Sequence, residues 1–254
     1  MQNLFDSHAH YDAEQFDGDR DAVLRSLPGK GVAHVLNAGT DMQSSGKGIA
    51  LAEKYGFVYA AAGMHPHEAA KAPKAYIHEL AALCAHQKVV AVGEIGLDYH
   101  YDFSPRETQL QVFREQLELA RDLNLPVIIH DRKAHGDTLR LLREFRPRGI
   151  VHCFSGSAEM AREVAALGMY VGFTGAVTFK NARKALEAAR AVPEDRILLE
   201  TDCPYMAPEP HRGKRCDSSL LVHTAAALAA ARGMDAQRLV NVTCQNARAA
   251  YGIQ

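Results

Sequence analysis

The sequence predicts a single (β/α)8 TIM barrel, an α/β fold spanning residues 1–254 with additional C-terminal helices. Three observations point there. Eight short β-branched or apolar runs recur at fairly even spacing. Helical patterns fill the gaps between them. No linker-like or low-complexity stretch interrupts the alternation.

The runs are Leu4–His8, Val32–Ala38, Val58–Gly63, Val89–Glu94, Val127–His130, Ile150–Phe154, Tyr170–Thr174 and Ile197–Thr201. They are nearly continuously apolar, as strands of a parallel sheet buried on both faces are. The clearest helix lies over Ser104–Asn124. Ser104 is placed as its N-cap, Pro105 takes the first helical position and Glu107 completes a capping box. Leu110, Phe113, Leu117 and Ala120 then form an apolar stripe at helical spacing. Over "GSAEMAREVAALG", Ser157 caps a helix and Gly168 ends it. Helical patterns about Ser218–Arg232 and Asp235–Tyr251 close the chain. The competing architecture, a doubly wound open sheet, places a glycine-rich phosphate loop after strand one. Here strand one runs into "HAHYDA", which has no glycine.

With 47% apolar and 23% charged residues, the composition is that of a soluble globular protein. A formal net charge of −1 excludes broad, charge-driven binding to duplex nucleic acid, so any such contact is local, through a small basic patch. The five cysteines (Cys84, Cys153, Cys203, Cys216 and Cys244) include no CxxC pair. The N-terminus has no basic stretch followed by an apolar run, and no apolar stretch has bilayer-spanning length. These features predict a reduced cytoplasmic protein with free thiols and no membrane partner. No feature marks an oligomer interface, so a monomer is expected.

In such a barrel the active site forms at the C-terminal ends of the strands. Strand one ends in His8 and His10. Strand three runs into His65 and His67, and strand four ends in Glu94. Strand five ends in His130, strand six carries His152, and strand eight runs into Asp202. Residues i and i+2 of a strand share a face. His8 and His10 therefore both point inward, with Asp6 sharing their parity one layer deeper. The same alternation turns Cys153 away from the face of His152, and Cys203 reads as structural. A lone interior histidine is ordinary. Four histidines and two carboxylates buried together without an ion would carry a large desolvation penalty, so their coincidence at the strand ends predicts a metal centre. Mixed nitrogen and oxygen ligands suit Zn²⁺ or Mn²⁺, while Mg²⁺ prefers oxygen. A carboxylate such as Glu94 could bridge two ions, a common device for splitting phosphate esters.

The segments "DSHAHYD", "GMHPH", "GEIGLDYH", "HCFSGS" and "ETDCPYMAP", in this order, with "FTGAVTFKNA" at Phe173–Ala182, closely resemble the TatD family of metal-dependent hydrolases within the amidohydrolase superfamily. The resemblance covers essentially the whole chain. It implies two divalent metal ions (Zn, Mn or Mg). His8, His10, Glu94 and Asp202 would hold one, and Glu94, His130 and His152 the other. It also implies a deoxyribonuclease acting from the 3′ end of single-stranded DNA. The chain departs from the family pattern after Arg212, where "RGKRCDS" stands for "RGKRNEP" and leaves Asp217 to cap the next helix. It departs again at His100, where tyrosine is common. Neither position is an expected ligand.

The chemistry expected is phosphodiester hydrolysis. Its catalytic residues are Asp202, as ligand and proton acceptor, Glu94, and His65, as donor to a phosphate oxygen or leaving group. Arg132 after strand five, and Arg212, Lys214 and Arg215 after strand eight, are expected to grip phosphates. The alternative on the same centre is hydrolysis of C–N or carboxylic-ester bonds, of deacylase or lactonase type. The complete ligand set argues against a non-catalytic binding barrel.

Overall fold

The computed structural model describes all 254 residues. Eight parallel strands are hydrogen-bonded in chain order: β1 (Leu4–Ala9), β2 (Val32–Ala38), β3 (Val58–Ala62), β4 (Val89–Asp98), β5 (Val127–Arg132), β6 (Gly149–Val151), β7 (Tyr170–Phe173) and β8 (Ile197–Leu199). The intervening helices are α1 (Arg20–Ser26), α2 (Met42–Lys54), α3 (Tyr76–Cys84), α4 (Arg106–Asp122), α5 (His135–Phe145), α6 (Ala158–Ala166) and α7 (Arg183–Ala191), with α8 (Leu221–Arg232) and α9 (Ala236–Tyr251) at the end. The ring closes just beyond β8. There Asp202 N donates to His8 O at 2.9 Å, and His10 N donates to Cys203 O at 2.7 Å. This closure sets the start of the Asp202 loop directly against the HxH pair. No helix is long and apolar enough to cross a membrane.

Strand alternation divides the apolar side chains into two layers. Leu4, Val35, Val92, Val127, Ile129 and Val151 join the large core beneath the helices. Phe5, Leu36, Ala61, Ala91, Ile128, Ile150 and Leu198 fill the barrel interior. The last helix closes one end of that interior. It packs Cys244, Ala247, Ala250 and Tyr251 against it, and Asn246 Nδ2 donates to Glu194 O and Ile197 O at 2.9 Å, where β8 begins. The opposite mouth, at the strand C-termini, is left for chemistry.

Several local expectations hold. Ser157 accepts from Met160 N at 3.3 Å to cap α6, and Gly168 follows that helix with a φ of 88°. Asp217 accepts from Ser219 N at 2.8 Å, capping the turn that leads into α8.

Others are corrected. Ser104 does not cap α4, whose N-cap is Pro105. Buried Ser104 instead accepts from Ala70 N and donates to His67 O, both at 3.0 Å, tying the β4–α4 loop to the loop after β3. β4 runs four residues past Glu94, to Asp98, and β6 stops at Val151. His152 and Cys153 therefore follow β6 rather than alternate along it. Cys153 has a φ of 42° and lines the cavity at the mouth, so it is not turned away.

Asp6 does not share the face of His8. A register shift between Asp6 and Ala9 reverses the faces of β1, which is what an extra residue in a strand does. The Asp6 carboxylate accepts from Thr201 N at 2.9 Å, Thr201 Oγ1 at 2.5 Å and Ser218 Oγ at 2.6 Å, locking β1 to the segment after β8 and to the approach of α8. Replacing it strands several buried donors. Asp6→Ala is expected to lower the unfolding free energy by about 3 kcal/mol in urea denaturation; a loss below about 0.5 kcal/mol contradicts this role.

Candidate metal centre

β1 delivers the first pair of expected ligands. His10 donates from Nδ1 to Ala38 O, at the end of β2, over 2.9 Å. That bond fixes the tautomer, so the neutral ring, the form that would bind an ion, has its Nε2 lone pair directed inward. His8 Nε2 lies 3.0 Å from His10 Nε2 and 3.3 Å from Glu94 Oε2. His10 Nε2 lies 3.5 Å from the same oxygen. Asp202 Oδ1 lies 3.7 Å from His8 Nε2 and 3.4 Å from His10 Nε2. Bonds of roughly 2.1 Å in a tetrahedral shell put ligand atoms about 3.4 Å apart. His8, His10 and Glu94 are spaced accordingly, as is Asp202 from the two histidines, so the donor set fits a divalent ion.

The other oxygen of Glu94 faces a different group. Oε1 lies 2.7 Å from His130 Nδ1, 2.7 Å from His152 Nε2 and 3.6 Å from His65 Nε2. His130 Nδ1 and His152 Nε2 are themselves 3.4 Å apart. Asp98 supports this side. Its Oδ2 accepts from His130 Nε2 at 3.2 Å and from His67 Nε2 at 2.9 Å. Protonated, His130 donates from Nε2 to Asp98 and from Nδ1 to Glu94. Once Nδ1 loses its proton, the bond to Asp98 keeps the other proton on Nε2 and turns the Nδ1 lone pair toward Glu94, the form that would bind an ion. His152 stacks on His8 at 3.8 Å, and the Nδ1 atoms of both rings are buried without a hydrogen-bond partner. Glu200 Oε1 sits 3.7 Å behind His152 Nδ1.

Electrostatics fit the same picture. Burial pushes Glu94 up, but His152, His8 and His65, with the His130 hydrogen bond, hold its carboxyl well below the usual range. Burial, reinforced by His152, lowers His8 to about 4. For His10 burial is outweighed by the bond to Asp202 and the charge of Glu94, which raise it to about 9. For His130 it is outweighed by Asp98 and Glu94, again to about 9. The rings thus surround the carboxylate as a partial substitute for a cation.

All six expected ligands (His8, His10, Glu94, His130, His152 and Asp202) converge at the mouth, and His65 joins them. All of these but the fully buried His8 line a cavity of about 750 Å³. Of the expected phosphate-gripping residues, Arg132 lines it, with its guanidinium 4.6 Å over the Tyr101 ring. Arg212, Lys214 and Arg215 do not line it. Arg212 lies 4.2 Å over the Phe179 ring. Arg215 is held by Asp19 at 2.6 and 2.8 Å and by Gln15 O at 2.7 Å.

Asp98 and Glu200 were missed from the sequence. Parity could have found both, since Asp98 lies four residues beyond Glu94 and Glu200 two before Asp202. Two glycines make room for this arrangement. A Cβ on Gly96 would lie 2.0 Å from His130 O, and one on Gly172 would lie 2.3 Å from Glu200 Oε2.

A family model described as "TatD related DNase" matches residues 5–252. The chain belongs to the TatD family. Among its TatD relatives, the metal-dependent hydrolase YabD of Bacillus subtilis is 42% identical, over 98% of this chain and 99% of that protein. The 3′-5′ ssDNA/RNA exonuclease TatD of Cronobacter sakazakii is 38% identical, over 96% of each chain. The crystal structure of YjjV, a TatD homologue from Escherichia coli K12, superposes with a TM-score of 0.94 at 32% identity, covering 99% of each chain.

The role assigned to Asp98 is testable in this TatD chain. Asp98→Asn is expected to weaken Mn²⁺ binding about 10- to 100-fold in calorimetric titration. Unchanged affinity would contradict it.

Proposed function

We propose that this protein is a divalent-metal-dependent phosphodiesterase that removes nucleotides from the 3′ end of single-stranded DNA, using two ions. The observation that carries the reading is the division of Glu94. Oε2 faces His8 and His10, with Asp202 beside them, while Oε1 faces His130 and His152. His8, His10, Glu94 and Asp202 would hold one ion, and Glu94, His130 and His152 the other. Bound there, paired ions supply Lewis-acid polarisation of a phosphoryl group and a lowered pKa for water. The substrate class is supported by the relative named as a 3′-5′ ssDNA/RNA exonuclease.

The chain's own residues supply the proton chemistry. Burial pushes Asp202 up, but the hydrogen bond from His10 and the neighbouring histidines hold it below the usual carboxylate range. Its side chain is 17% exposed, against 4% for Glu94, so it is the carboxylate that incoming water reaches. Ionised and accessible, Asp202 accepts the proton of the attacking water. His65 Nδ1 accepts from His67 N at 3.2 Å. The neutral ring therefore carries its proton on Nε2, at the mouth, where it offers a hydrogen bond to a phosphate oxygen or to the leaving oxygen, which then takes the proton that Asp202 accepted from water.

The test is cleavage of a 5′-labelled single-stranded oligonucleotide with Mn²⁺ or Mg²⁺. The expected result is a ladder shortening from the 3′ end, abolished by EDTA and by Glu94→Ala. Asp202→Asn is expected to lower kcat about 10²- to 10⁴-fold. An intact oligonucleotide under every metal, from protein shown to contain metal, overturns the phosphodiesterase reading. Full activity of Asp202→Asn with full metal content overturns only the assignment of the base.

A further inference from the structure

The cavity at the barrel mouth is not basic. Its wall carries Asp12, Glu68, Glu94, Asp98, Asp131 and Asp202, against Arg132 and no lysine. Phosphates away from the reacting centre meet little positive charge there. A strand reaching the centre has to be held mainly by something other than its backbone charge.

The mouth offers aromatic rings instead. Tyr101, Phe103 and Tyr205 are 47%, 66% and 52% exposed, and the other large exposed apolar side chains of the protein are Met1 and Leu123. Tyr101 and Tyr205 line the cavity. Phe103 stacks on Tyr101, with ring centres 5.2 Å apart and planes inclined by 18°. It also meets His67 edge-on at 4.8 Å. Arg132 lies over Tyr101, so three planar groups are in contact beside the His130 face of the centre. Tyr205 follows β8, four places round the eight-strand ring from β4, and its ring centre lies 6.5 Å from that of His10.

The stack is built in rather than loosely displayed. Tyr101 N donates to Asp98 Oδ1 at 2.9 Å. On the other side of Phe103, buried Ser104 is fixed to Ala70 N and His67 O. Asp98 thus holds both the ligand His130 and the loop that carries the aromatic pair. An exposed but anchored aromatic pair loses little side-chain entropy when a flat ligand joins it.

We infer that the Tyr101–Phe103 stack is a nucleobase platform. An unpaired base of the substrate strand stacks on it while a phosphate of the same strand lies among the metal ligands. The inference rests on the phosphodiesterase reading and adds the residues that hold the strand. It also accounts for selection of single strands, because a base inside a duplex is already covered by its neighbours and has no free face to offer.

Steady-state kinetics of the Mn²⁺-loaded protein test this. The substrates are a short oligothymidylate, the same oligonucleotide with one abasic residue at successive positions from the 3′ end, and methyl p-nitrophenyl phosphate. Phe103→Ala is expected to raise the oligonucleotide KM about 5- to 150-fold, with kcat little changed, and Phe103→Trp to restore it. One abasic position should reproduce the loss in the wild type and cost Phe103→Ala nothing further. An oligonucleotide KM unmoved by Phe103→Ala, or an abasic penalty equal in both proteins, overturns the platform while the phosphodiesterase reading stands. A wild type that hydrolyses neither the oligonucleotide nor the small diester overturns both.

Discussion

One buried carboxylate organises the mouth of this barrel. Glu94 is the group to which five histidines from four strand ends converge, and each of its oxygens faces a different subset of them. Imidazole nitrogens packed about it at hydrogen-bond distance repel one another when protonated and oppose lone pairs when neutral. A buried carboxylate alone, in turn, carries a desolvation cost of several kcal/mol. A cation between the two kinds of group relieves both problems. The placement of Glu94 therefore constrains every other side chain at the site.

The fold meets that constraint by local irregularity on a regular frame. The barrel gives a ring of strand ends and a packed interior sealed by α9. The register shift in β1 brings His8 to the inner face and frees Asp6 to bind the segment after β8. The extension of β4 carries Asp98 to the back of His130, and glycine at position 96 lets β5 approach closely enough for that bond. Gly172 leaves the space that Glu200 occupies behind His152. Asp98 has a double role, since the same carboxylate fixes the His130 ring and the backbone of the loop bearing Tyr101.

Much of this was readable in the sequence, because apolar runs and polar punctuation are local signals. The eight strands, the helices between them and the histidines and carboxylates at the strand ends all follow from short-range pattern. The same is true of the caps at Ser157 and Asp217. The errors arose where a long-range contact overrides local pattern. Strict alternation put Asp6 beside His8, and the β1 irregularity reverses it. Ser104 has the spacing of a capping box, yet two partners on the loop after β3 draw it away. Arg215 stands in a basic run after β8, but Asp19, distant in sequence, takes its guanidinium. Asp98 and Glu200 were invisible as functional groups because their partners come from other strands. Parity along β4, and along the "ETD" segment, was the only trace of them.

The relatives establish the family; in the reading proposed, the metal ligands gather at the barrel mouth, Asp202 handles the proton of the attacking water, His65 donates a hydrogen bond, and an acidic wall stands beside an aromatic rim. The central proposal is that Glu94 would be shared between two ions. Anomalous diffraction from crystals soaked in Mn²⁺ tests it most directly. The account predicts two peaks flanking the Glu94 carboxylate, about 3.5–4 Å apart. A single peak bound by His8 and His10, with none between His130 and His152, would contradict it.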